Sequence, residues 1–143
     1  MTRKIFGAAF LQGAAVLLLS AVLFFGVLYR YNEAQVYTEL SAAADYAAAG
    51  LEREGAGYLS SVVTPDRITW IAADGTVRYD SAADAAAMEN HLSRPEVQSA
   101  LQSGSGRSTH VSATLLQRTL YYARLLDDGT VLVESNAILA HVA

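Results

Sequence analysis

The chain has 143 residues, no cysteine and a formal net charge of −4. Without cysteine there is neither a disulfide framework nor a thiolate metal site. Residues 31–143 carry seven arginines against fourteen acids, a net −7 that repels nucleic-acid phosphates.

Ile5–Tyr29 is a run of 25 uncharged residues that contains all four phenylalanines. As an α-helix rising about 1.5 Å per residue it reaches roughly 37 Å, enough to cross a hydrocarbon core of about 30 Å. The run is longer than the apolar region of a signal peptide and is followed by "GVLYRYNEA", without a small-x-small cleavage site. Arg3, Lys4 and the amino terminus precede it, and Arg30 and then Asn32, Glu33 and Glu39 follow. The positive-inside bias therefore predicts residues 1–4 in the cytoplasm, a membrane helix over 5–29, and the remainder outside the cell.

The helical pattern continues past the run. Val36, Leu40, Ala43, Ala47 and Leu51 recur at spacings of three and four, and Gly50, Gly55 and Gly57 stop the helix near Glu54. "RITWIAADGTVRYDS" (67–81) then reads as strand, two-residue Asp74-Gly75 turn, strand. After the alanine-rich connection 82–92, Ser93-Arg94-Pro95-Glu96 predicts a helix start with Ser93 as cap and Glu96 completing a capping box; the helix ends at Ser103-Gly104. Three more strands are expected at about 107–113, 118–126 and 130–135, the last two joined at Asp128-Gly129. The pattern predicts an α+β fold, a long helix packed on a five-stranded antiparallel sheet with a short extra helix, occupying residues 30–135. Both strand faces carry apolar residues, so both faces of the sheet should be covered.

"ITWIAADGTVRYDS", "MENHLSRPEVQSAL", "SGSG", "SATL" and "YYARLLDDGTVL", in this order, resemble the extracytoplasmic PAS-like or Cache-like sensor region of bacterial two-component histidine kinases of the PhoR and WalK type. The likeness runs from the membrane helix to about Val133. It implies a signal-input module, a homodimer with its long helices side by side, and an unknown small ligand or extracytoplasmic protein as stimulus. It also implies a second membrane helix where the tail 136–143 stands. A kinase core would then follow, holding ATP and magnesium and acting on a response regulator. None of these cofactors belongs to this chain, which carries no phosphorylation motif and is not expected to be an enzyme by itself. The strand "RSTHVSATL" departs from the family, which places an arginine and an aromatic where His110 and Val111 stand.

The candidate ligand residues are Trp70, Arg78, Tyr79, Asn90, His91, Arg94, Tyr122 and Arg124, with any pocket between the central strands and the 84–96 connection, under Asn90, His91 and Arg94. A planar guanidinium suits a carboxylate or phosphate. A salt bridge to Asp80, Glu89 or Glu96 explains the same arginines, and core packing explains the aromatics. His91 with Asp84 and Glu89 offers metal-ligand types but no repeated ligand spacing, so no metal is expected. His110 is expected on a strand surface and His141 in the tail. No nucleophile turn of the G-x-S-x-G kind exists. Two other classes fit a leading apolar helix. One is a pilin-like subunit, although Gln12 stands where a pilin has its glutamate. The other is the sensor of a chemoreceptor or a cyclic-nucleotide cyclase.

Overall fold

A computed structural model describes residues 2–112 and 117–139. The chain divides into two compact units, Met1–Gln35 and Val36–Ala143. The first is helix throughout its described length and buries none of its apolar side chains: Phe6, Phe10, Leu17, Phe24 and Phe25 are all more than 60% exposed. The helix, α1, spans Thr2–Glu54, so its end falls where the glycines predict.

The second unit contains the later turns of α1 followed by α2 (Gly57–Ser61), β1 (Arg67–Ile71), β2 (Val77–Asp80), a 3-10 turn at Ala85–Ala87, α3 (Pro95–Ser103), β3 (Ser105–Ser112), β4 (Gln117–Leu125) and β5 (Val131–Leu139). The five strands form one antiparallel sheet in the order β2-β1-β5-β4-β3. The last strand in sequence is thus the middle one in space. Covered on both faces, it is buried at every position from Val131 to Ser135. It also runs to Leu139, past the expected end at 135, because Gln117–Leu120 of β4 pair with Asn136–Leu139.

Helices cover both faces, as the mixed strand pattern predicts. One face receives α1 and α2. Ala47, Ala48, Leu51 and Leu59 pack there with Ile68, Leu126 and Leu132, and Tyr37 and Leu40 pack with Leu120. The buried stripe of α1 is Tyr37, Leu40, Ala44, Ala47, Ala48 and Leu51, rotated slightly from the predicted one, with Val36 and Ala43 only half-buried. Tyr37 Oη, 2.9 Å from Ser108 O and Thr109 Oγ1, ties this helix to the edge strand β3. The other face receives α3, where Val97 and Ala100 meet Ile71, Ala123, Val131 and Val133. Gly106 permits that approach, since a Cβ there would overlap the Glu96 carbonyl.

Two local expectations change. Ser93 does not cap α3: Arg94 occupies the cap position without a side-chain bond, and Glu96 turns inward instead of back along the helix. The β1–β2 turn is longer than two residues. Ala72 N–H donates to Thr76 O, enclosing Ala73–Gly75 with Gly75 at φ +90°. Leu126 N–H donates to Thr130 O in the same way at the β4–β5 turn.

Gly75 is under two constraints, its left-handed φ and the crowding of Asn90 and Leu92 against it. Gly75→Ala is expected to cost about 1–3 kcal/mol of stability. Denaturant unfolding of the two proteins side by side checks this, and an unchanged midpoint would contradict it.

Candidate functional site

Strand alternation sends Arg67, Thr69 and Ile71 of β1, Val133 and Ser135 of β5, and Tyr121 of β4 to the α3 side of the sheet. The segment entering α3 folds over them. His91 N–H donates to Gly75 O at 2.8 Å and Arg94 N–H to His91 O at 3.1 Å, bringing His91, Arg94 and Glu96 above the strands. Together with Met88 these residues enclose a polar cavity of about 40 Å³. That is room for one or two water-sized groups.

Charge around the cavity is mostly paired. Arg67 Nε lies 3.0 Å from both oxygens of Asp80, and Thr69 Oγ1 donates to Asp80 Oδ2 at 2.7 Å. Burial opposes ionisation of Asp80, but hydrogen bonds from Thr69, the Ala82 backbone and Arg67 outweigh it and hold the carboxyl below its usual range. Glu96, only 2% exposed, accepts from Ser108 Oγ at 2.5 Å and lies 4.0 Å from Arg94 Nη1. The Arg94 guanidinium also sits over the Tyr121 ring, 5.9 Å from its centroid. Burial, and then the Arg94 charge, hold the His91 imidazole below its ordinary value, so it is neutral at pH 7. The cavity can therefore offer hydrogen bonds from two guanidinium groups, a neutral imidazole and the Ser135 hydroxyl to a small polar group.

Of the eight predicted ligand residues, the structure brings His91 and Arg94 together at this cavity, where a pocket is expected. Asn90 lies beside it as a brace: its Nδ2 donates to Asp74 O and its Oδ1 accepts from Leu92 N–H, both at 2.9 Å. The other five belong to the opposite face or its rim. Trp70 Nε1 donates to Thr130 Oγ1, and Tyr79 Oη donates to Leu59 O. Tyr122 packs beside Leu120. Arg124 pairs with Asp45 of α1 rather than with any of the three expected acids. Arg78 occupies a bulge where the β1–β2 register shifts after Trp70, which lets its guanidinium lie 5.1 Å from the Trp70 ring centroid.

Trp70 also lines a second, more open groove of about 410 Å³ between the end of α1 and the β4–β5 turn. Asp84 caps the 3-10 turn through the Ala86 N–H. His110 is exposed on β3, and His141 lies outside the described residues. Among the described residues no three histidine or acid side chains come together as a metal site. Sequence reasoning missed Arg67, Thr69, Glu96, Tyr121 and Ser135 as lining residues. The alternation of β1 and β5 carried a signal for Arg67, Thr69 and Ser135 once the two strands were known to be neighbours.

Compared with known proteins, the chain matches no family model, no curated protein and no solved structure.

His91 is expected to titrate below about 6.5, and Arg94→Gln to raise its midpoint by removing a nearby positive charge. Imidazole carbon resonances followed by NMR, with His91→Gln for assignment, measure both. The stability His91 contributes is present above its unfolded value and is lost as the pH falls. A midpoint that stays put in Arg94→Gln would show that the guanidinium does not act on the ring.

Proposed function

We propose that this chain is the signal-input module of a membrane sensor histidine kinase, with its amino terminus cytoplasmic and residues 30–135 extracytoplasmic. One observation carries the reading: α1 contains an 18-residue window of mean hydropathy 2.3 that is 0% buried, and the later turns of the same helix cover one face of a sheet. Exposed apolar surface on that scale is unfavourable in water and favourable in lipid. Arg3 and Lys4 ahead of the window and the acidic composition after it support the orientation. The ordered motifs from Ile68 to Val133, lying on an α+β sheet with helices on both faces, support the kinase-sensor reading over a pilin.

In this reading a stimulus acts by its unequal affinity for two arrangements of α1 against the sheet. The homodimer pairs the exposed side of α1. Leu40 and Leu51 cannot form that seam, because they are committed to the sheet, as are Ala44, Ala47 and Ala48. Tyr46, 77% exposed, marks the available side.

The chain has no cysteine, so single cysteines can report sidedness. Asp127→Cys is expected to react with a membrane-impermeant maleimide on intact cells, and Thr2→Cys only after permeabilisation. Release of the labelled domain into the medium, or the reverse pattern, would overturn the topology. The kinase output is checked separately by reading the genomic DNA beyond the Ala143 codon, where a second membrane helix and a phospho-accepting histidine domain are expected.

A further inference from the structure

Glu134 lies in the middle of the central strand, on the face that receives α1. It stands opposite Ile68 of β1 and Tyr122 of β4. Leu132 and Ile68, packed with Ala47, Ala48 and Leu51, belong to one apolar cluster of this face, and Tyr37, Leu40 and Leu120 form another. Glu134 is only 1% exposed, and its Oε2 has no hydrogen-bond partner. Buried polar atoms of folded proteins are almost always partnered, so an orphaned carboxyl oxygen calls for an explanation.

Arg107 of β3 and Arg124 of β4 face this side of the sheet, and each has another partner. Arg107, opposite Tyr122, lies over the Tyr37 ring, 5.2 Å from its centroid. Arg124 is engaged by Asp45 of α1. Asp66, at the head of β1, is a second acid, and its Oδ1 accepts from Asn136 Nδ2 at 2.6 Å. Tyr37 of α1 spends its hydroxyl on β3, and Tyr79 of β2 spends its own on Leu59 O. Tyr58 of α2 packs against the first of these apolar clusters and Tyr122 of β4 against the second. The buried stripe of α1 along this face is otherwise aliphatic, from Leu40 through Ala44, Ala47 and Ala48 to Leu51. A carboxylate buried without a partner in such a place is strongly disfavoured, and the group keeps its proton instead.

We propose that Glu134 makes the docking of α1 onto the sheet a proton-coupled step: the docked state holds a proton on this carboxyl, and undocking of α1 releases it to solvent. Burial first, and then the neighbouring Asp66, push the docked carboxyl up to about 8 from its ordinary 4.5. The sign follows. Between those values the docked state binds one more proton than the undocked state, so undocking becomes about tenfold easier per pH unit. Below the window both states are protonated, and above it both are ionised. His91 works in the opposite direction, because it is held neutral and opposes acidification. As a physiological stimulus the proton depends on the sensory reading above, whereas the coupling itself does not.

Hydrogen exchange at the α1 amides from Leu40 to Leu51 tests it, on the full chain in detergent micelles, with wild type and Glu134→Gln compared at matched pH so that intrinsic exchange cancels. The opening of wild type relative to the variant is expected to rise roughly 30-fold from about pH 6 to about pH 7.5. A flat ratio would overturn the proposal. Glu134→Leu serves the same comparison if the glutamine variant does not fold. Infrared spectroscopy with carbon-13-labelled glutamate needs no variant. A protonated-carboxyl band is expected at about pH 6.5 and should be gone above about pH 9, and its absence at the lower pH would equally overturn the proposal. Neither readout depends on membrane sidedness or on any output domain, so failure here leaves the cysteine-labelling result standing, and the converse also holds.

Discussion

Everything in the second unit depends on the apolar stripe of α1 finding the sheet. Five strands with one bare face would leave Ile68, Leu120 and Leu132 in water, and each of these is at most 1% exposed in the fold. Burying a side chain of that size contributes about 1.5–3 kcal/mol. The helix reciprocates with Leu40, Ala44, Ala47, Ala48 and Leu51. The alanines lower the packing distance, and the two leucines, three turns apart, fill the clusters at either end of the contact.

The second face depends on the first, because the strands that present residues to α1 also present the alternate residues to α3. Central position explains why β5 reads as nearly continuous burial while the edge strand β3 exposes Arg107, Thr109 and His110. The closeness of α3 to β3 at Gly106 draws Glu96 inward to Ser108. That contact sets one wall of the polar cavity. The cavity is a consequence of packing two polar strand segments, Arg67–Thr69 and Ser135, under a short helix that carries its own charge.

Three buried carboxyls in this unit meet three fates. Asp80 is ringed by donors from Arg67, Thr69, Ala82 and Ala83 and keeps its charge. Glu96 has a hydroxyl close by and a guanidinium at the limit of an ion pair. Glu134 keeps one oxygen with neither. The residue types are nearly the same, and the electrostatic outcome is set by what each neighbouring element happens to supply.

Much of this architecture was legible in the chain. The uncharged run, the helix ending at Glu54, the number and order of strands and the helix beginning at Pro95 follow from local pattern, because periodicity and turn chemistry act over a few residues. The placement of His91 and Arg94 in the connection leading into α3 was legible for the same reason. The other members of the site were not. Arg67 and Thr69 are far from Ser135 in sequence and meet it only because β5 inserts between β1 and β4. Likewise, nothing in "VLVESNA" marks Glu134 as buried: one residue of register would turn it to the α3 face, and only the central place of β5 in the sheet puts it in the core beneath α1. Local physics determined the elements by itself. Which side chains meet, and in which dielectric their charges must live, was decided by long-range pairing that no local pattern contains.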